Sequence, residues 1–344
     1  MTNEAVVVPE APPEPARSLR SRWPQALAIV LVVALPFLVD SLNLRRYGSL
    51  IVLSLGVLGV VVATGYTGLI SLGHGVFVGL GAMTMGALLD WWNLPFILAV
   101  VGTFLVTTGV GWLIGLPTLR VRGIYLALLT LGLALLFPPL VKKWPEASGG
   151  VSGRAIEKTL DAPAWLGEQH TITWRYYFCL IVCFVMFWMT RNVVSGRTGR
   201  AMQAVRDNEP AAASFGVDLP RAKAGAFGYS AGLAGVAGAL QAVLFPFVSH
   251  DQYTVFLSFR LYAAAVMGGV AAIAGALWGV VALVLVPAVN DAFKLLDNDV
   301  FVFGVGLIVL TFVSPDGIAG LVHRIRASGR IGEFWRNFRS RYAG

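Results

Sequence analysis

The side chains that most often ligate metals or act as nucleophiles are few here: His74, His170, His250, His323, Cys179 and Cys183. The histidines are scattered, with no HExxH pair and no Cys/His cluster of the kind that holds zinc. No serine is read as a hydrolase nucleophile. Of the five lysines, Lys142, Lys143, Lys158, Lys223 and Lys294, none stands in the G-K-[ST] setting that cradles nucleotide phosphates. The acids nearest the apolar segments, Asp90, Asp251, Asp291, Asp297 and Asp299, fall at segment ends, where solvated caps are found. With no ionisable residue assigned to the interior of a span, neither catalysis nor proton-coupled carriage has side chains to work with. The chemistry that drives this molecule must come from a partner.

What the spacing offers instead is interrupted backbone. "GYTGLISLGHGVFVGLGA", Gly65 to Ala82, carries six glycines and His74 inside one of the most apolar stretches of the chain. Glycine costs about 1 kcal/mol relative to alanine in a helix interior. Two readings stay open: a turn at the membrane surface with His74 in solvent, or a helix broken at membrane depth beside a transport path. A second glycine-interrupted segment, "VMGGVAAIAG" from Val266 to Gly275, favours the break. Ser71, Gly73, His74, Gly268 and Gly269 are therefore the candidate path or gate residues, with His74 acting through hydrogen bonding and helix capping.

These residues must be positioned by helices. At 344 residues, 57% hydrophobic and 13% charged, with mean hydropathy +0.74, the chain is too apolar for a water-soluble globule. The composition points to an all-α integral membrane protein, a polytopic bundle of about ten spans. Those spans are Pro24–Val39, Leu50–Ile70, Gly75–Leu89, Pro95–Leu119, Ile124–Val141, Tyr176–Thr190, Ala222–Phe247, Ser258–Gly275, Ala276–Ala292 and Val300–Val313. Cys179 and Cys183, one helical turn apart in an apolar span, read as packing. Gly228, Gly232 and Gly235, and the pairs Gly111/Gly115 and Gly275/Gly279, read as close-packing faces.

The net charge of +8 clusters at segment ends, which suits anionic headgroups of the lipid bilayer rather than nucleic acid. Arg17, Arg20 and Arg22 precede the first span, Arg120 and Arg122 follow the fourth, Arg191, Arg197, Arg200 and Arg206 follow the sixth, and six arginines mark the tail. With ten crossings all four groups lie in the cytoplasm, against Arg45 and Arg46 outside. The organisation expected is a disordered cytoplasmic tail over 1–22 and a permease domain over 23–321. A basic amphipathic cytoplasmic tail over 322–344 completes it. Within the domain, 142–175 forms an extracytoplasmic loop with a flexible "PEASGGVSG", and 191–221 a cytoplasmic loop.

That second loop, "SGRTGRAMQAVRDNEPAAASFGVDLPRAKAGAFGYSAG", is the informative one. Arg200 to Asp207 has helix-forming composition. A second short helix is expected with Glu209 as N-cap, Pro210 at N1 and Gly216 closing it in the left-handed conformation. The result is a rigid knuckle between two spans.

The segment "EPAAASFG" followed by "LPRAKAGAFGYSAGLAGVAGAL" resembles the EAA-type coupling segment of binding-protein-dependent ABC importer permeases, on Glu209, Ala212 and Gly216. It departs from the general pattern at Pro210 and in the early Leu219-Pro220, and these departures point to the branched-chain amino acid permease family. "GLISLGHGVFVGLGA", "LRVRGIYLALLTLGLA" and "VMGGVAAIAGALWGVVAL" are similar to segments of its LivM-type members, in order, over roughly residues 50 to 290. The resemblance implies a permease subunit with no cofactor or ATPase site of its own, in a bacterial inner membrane with both termini cytoplasmic. Its implied partners are a second homologous permease, two ATP-binding subunits and an extracytoplasmic substrate-binding protein. Arg200, Arg206, Glu209, Pro210, Ala211, Ala212 and Gly216 are the implied ATPase-coupling residues. The implied cargo is leucine, isoleucine or valine; relatives of the same fold import urea or short amides, and the residues do not discriminate among them.

Overall fold

The computed structural model describes residues 32–117, 123–150, 152–163, 167–293, 304–305, 307–308 and 317–321. The expected tails 1–22 and 322–344, the Arg120–Arg122 turn, the first half of the span Pro24–Val39 and most of the span Val300–Val313 lie outside them. The chain divides into two compact units, Met1–Asp40 and Ser41–Gly344. In the first, residues 32–38 are helical.

The second unit is built from helices α1 (Ser41–Val60, prolonged as a π-helix over Val61–Tyr66), α2 (His74–Asp90), α3 (Phe96–Gly115), α4 (Ile124–Lys142), α5 (Pro145–Ser148) and α6 (Thr171–Ser195). They are followed by α7 (Arg197–Asp207), α8 (Glu209–Ser214), α9 (Leu219–Leu244), α10 (Val255–Gly268) and α11 (Ile273–Phe293). Five of these are long and apolar enough to cross a membrane: α1 with its π extension, α3, α4, α6 and α9. Helix α2, at 17 residues, is a shorter apolar helix. The expected separate crossings Ser258–Gly275 and Ala276–Ala292 are instead the pair α10 and α11, bent by 115° at a break over 269–272. At 14 residues, α10 is about 21 Å long, short of a hydrocarbon core of about 30 Å.

Helix α9 is the axis of the bundle. In its most apolar stretch 89% of residues are buried, against 28% for α3 and 22% for α6, whose outer faces carry Ile97, Leu105, Phe184 and Trp188. The reason is side-chain size: between Ala224 and Ala242 the helix presents mostly alanine, glycine and serine, so three neighbours approach its backbone. A Cβ on Gly81 of α2 would run into the Gly235 carbonyl, and one on Gly238 into the Val78 carbonyl. From α3, Gly111 faces Ala231 and Gly115 faces Ala224. Cys179 and Cys183 are free and buried, Cys179 Sγ lying 3.7 Å from the Leu240 carbonyl oxygen.

At the end of α2 away from His74, the segment after α4 turns through the short helix α5. Ser148 is buried and its hydroxyl donates to the Val141 and Trp144 carbonyls at 2.8 and 2.9 Å. Strand β1 (Arg154–Ala155) pairs antiparallel with β2 (Phe247–Val248), Arg154 opposite Val248. Asp90, expected as a solvated cap, has a side chain only 4% exposed; it pairs with Arg154 at 2.7 Å and accepts from the Lys158 backbone N–H. Two-residue strands cannot hold a loop by themselves, so this ion pair and the Lys158 ammonium on Asn93 Oδ1 at 2.7 Å anchor it.

The α2–α9 crossing has no room for a side chain, and overpacking a core costs about 1–3 kcal/mol or more. Gly81→Val is expected to lower folded protein recovered from membranes several-fold. Gly132→Ala, with open space around it, is expected to leave recovery unchanged. Fluorescence-detected size exclusion of both variants checks this.

Candidate functional site at the helix break

Helix α1 does not run into α2; it loosens into the π-helix Val61–Tyr66, turns through residues 67–73, and the chain re-enters the bundle at His74. His74 is fully buried. A Cβ on Gly59 would lie 3.4 Å from its ring, so α2 starts level with a residue seven before Tyr66, the end of the π extension of α1, about 10 Å inside it. The reading of a solvent-wetted His74 is therefore not the structure's.

Broken backbone in a dry interior must have its polar groups satisfied, and partners arrive here from within the turn and from three other helices. On the carbonyl side, Gly68 N–H donates to Thr64 at 3.1 Å, Leu69 N–H to Ala63 at 2.9 Å, and Thr67 Oγ1 to Val62 at 3.2 Å. The Gly65 carbonyl accepts from the guanidinium of Arg206 on α7. On the donor side, Leu72 N–H goes to Thr130 Oγ1 of α4 at 2.9 Å and Gly73 N–H to Ser71 Oγ at 3.4 Å. Gly75 N–H goes to Ser258 Oγ of α10 at 2.9 Å.

His74 caps nothing, contrary to expectation: Gly73 is the N-cap residue, and Ser258 serves the first turn. Its Nε2 lies 3.3 Å from Ser230 Oγ of α9. Because the Ser230 hydroxyl donates to the Phe227 carbonyl at 2.7 Å, its oxygen is left to accept, and His74 is the donor. Phe77 and Phe227 pack edge-on to the imidazole at 6.2 and 6.3 Å. Ser230 is also the centre of Gly228-Tyr229-Ser230-Ala231-Gly232, which has the letters of a G-x-S-x-G elbow. The elbow's mechanics require a strand-to-helix turn. Ser230 sits in mid-helix with 0% exposure, and among the described residues His74 Nδ1 has no acidic partner to orient it.

The structure thus gathers Ser71, Gly73 and His74 with Thr130, Ser230 and Ser258, the last three unforeseen from sequence. Gly268 and Gly269 lie elsewhere, packed against Gly275, Gly279 and Gly317 in the α10–α11 turn, with Gly269 at φ +106°. The two breaks nonetheless touch, since a Cβ on Gly65 would strike the Val270 carbonyl.

The knuckle forms with one change of cap. Asn208, not Glu209, is the N-cap of α8, its Oδ1 accepting from Ala211 N–H at 3.1 Å. Glu209 instead pairs with Lys223 of α9 at 2.5 Å, the lysine side chain 5% exposed. Gly216, at φ +80°, closes the helix, with Val217 N–H on the Ala212 carbonyl at 3.0 Å. Ala212 is buried; Arg200, Pro210 and Ala211 are exposed. Phe215 is 89% exposed. Between knuckle and break lies a cleft of about 200 Å³ lined by Thr67, Gly68, Arg206, Glu209 and Lys223, among others. Arg206 is exposed, and its guanidinium nevertheless reaches the Gly65 carbonyl, joining the knuckle to the π-helical end of α1.

Sequence reasoning also missed Arg260, which lies inside the expected span Ser258–Gly275 and is exposed on α10. The signal was available: Phe256, Phe259 and Arg260 share a helical face opposite the buried Ser258 and Leu261.

Comparison with known proteins agrees with this architecture. The family described as branched-chain amino acid transport system / permease component matches residues 45–311. The high-affinity branched-chain amino acid transport system permease protein LivM of Salmonella typhimurium is 31% identical over 264 residues, 70% of this chain and 62% of that protein. LivM of Escherichia coli K12 is 30% identical over the same shares. The chain therefore spans about 62% of the length of these curated relatives. LivH of Salmonella typhimurium is 26% identical over 290 residues, 78% of this chain and 92% of that one. No solved structure matches. A bundle of apolar membrane-crossing helices, broken at Gly65–His74 and matched over residues 45–311, belongs to the branched-chain amino acid transport system permease family.

Proposed function

We propose that this chain is the permease subunit of an ATP-driven, binding-protein-dependent importer of branched-chain amino acids. It forms half of the translocation path with a second, homologous permease. Two partner subunits bind and hydrolyse ATP, and an extracytoplasmic binding protein delivers cargo. The α7–α8 end faces the cytoplasm of a bacterial cell, and both termini lie on that side of the inner membrane. The named cargo of the LivM and LivH relatives supports the choice of substrate.

One observation carries the docking assignment. Phe215 stands 89% exposed at the tip of α8, on a helix fixed at one end by Asn208 and at the other by Gly216. A bare aromatic on a rigid knob is the kind of anchor that fills a partner's pocket. Docked there, an ATPase would push on α8, and the push has two rigid routes inward. Glu209–Lys223 leads to α9, and Arg206–Gly65 leads to the helix break above which Ser71, Gly73 and His74 sit. Gly268 and Gly269 join through the Gly65–Val270 contact.

Phe215→Ser is expected to leave the permease inserted while cutting ATPase copurification at least tenfold. Undiminished copurification would remove the anchor. Gly216→Val adds a side chain in open space but forces a left-handed backbone, at about 1–2 kcal/mol; hydrolysis is expected to continue with leucine uptake lost. Arg206→Ala strips the Gly65 carbonyl of its donor, worth about 1–3 kcal/mol for a buried group. Uptake in proteoliposomes is expected to fall several-fold, where an arginine acting only through its charge would change nothing.

A further inference from the structure

A charged side chain at membrane depth is costly unless it faces protein, water or an opposite charge. Arg260 is such a residue. Its neighbour Leu261 packs over Gly56 of α1, and Ser258, two residues earlier, caps the buried start of α2. Gly56 is the sixteenth residue of the 26-residue span Ser41–Tyr66, about 22 Å from one end and 15 Å from the other. Arginine escapes to headgroups only from near a helix end, so from here it cannot. It makes no hydrogen bond or ion pair with any described residue. Phe256 and Phe259, 69% and 43% exposed, flank it on the same face.

We infer that this face of α10 fronts the water-filled path and that Arg260 reads the carboxylate of the passing amino acid, with Phe256 and Phe259 accepting its apolar side chain. A guanidinium binds carboxylate through two parallel N–H donors, and two phenyl rings beside it suit a molecule that is anionic at one end and branched-aliphatic at the other. A lipid-facing surface would have no use for the charge. A salt bridge to the second permease would satisfy the charge but leave the aromatic flanks unexplained. Ser71, Gly73 and His74, packed in the interior, then shape the path from behind, through Ser258 at the root of the same helix. The inference rests on the cargo given under Proposed function.

The test uses the whole complex in proteoliposomes, with leucine as probe. Arg260→Gln is expected to lower ATP-driven leucine uptake at least tenfold with assembly and basal hydrolysis kept, and Arg260→Lys to restore part of it. Arg260→Cys is expected to react with a membrane-impermeant anionic methanethiosulfonate, Cys179 and Cys183 being buried. Wild-type uptake by Arg260→Gln overturns the inference, as does an Arg260→Cys thiol that reacts only with lipid-soluble reagents. Loss of copurification with the second permease in Arg260→Gln overturns it in favour of an inter-subunit ion pair. If the wild-type complex carries no leucine, the cargo reading itself fails, and that failure shows before any substitution is made.

Discussion

Backbone-to-backbone contact along α9 is the constraint on which the rest of the bundle depends. In lipid there is no hydrophobic drive to pull one helix onto another, so close approach through small residues supplies the packing. Gly235 and Gly238 admit α2, and Gly228 and Ala231 admit α3. Gly59 of α1 lies against the Ser230 carbonyl. Only because α2 sits this near can His74 reach Ser230 at 3.3 Å. Widening the crossing by one methyl group would put that bond out of reach and open a seam beside the break.

The break itself is held by borrowed groups. Each unsatisfied backbone polar group in lipid costs several kcal/mol, so the turn after Tyr66 persists because Thr130, Ser258 and Arg206 arrive from three other elements. Its partners lie on both sides of the mechanical question: Thr130 and Ser258 belong to the membrane bundle, Arg206 to the knuckle. A displacement of α7 therefore cannot leave the 67–73 turn untouched. The Glu209–Lys223 pair, with its lysine buried and its glutamate at the cleft, ties α8 to α9.

At the opposite end the logic is electrostatic. Asp90 closes α2 against Arg154, whose guanidinium also stacks 5.2 Å over Trp91. The loop so anchored reaches back to α9's exit through β1 and β2. Both ends of α2 are thus held, one by hydroxyl caps and one by a salt bridge, and its 17 residues lie wholly between them.

By itself the sequence determined the class of molecule, because hydropathy summed over twenty residues is local information: the apolar runs that become α1, α3, α4, α6 and α9 are legible without any neighbour. Pro210 and Gly216 likewise declared the knuckle, since their backbone preferences need no partner. Whether Gly65 to His74 was a wetted turn or a buried break could not be read there. That depended on Thr130, Ser230 and Ser258, lying 58, 156 and 183 residues away from the groups they bind. Asn208 caps α8 by a local preference, its short amide reaching the Ala211 N–H, while the partner of Glu209, Lys223, came from another helix. The interruption at Gly268 and Gly269 was legible in the sequence, but the 115° bend it makes between α10 and α11 was not, as an apolar run shows no sign of its direction. Tertiary structure decided these points because each is a contest for a hydrogen-bond or ionic partner, and the winner is fixed only when distant segments are brought together.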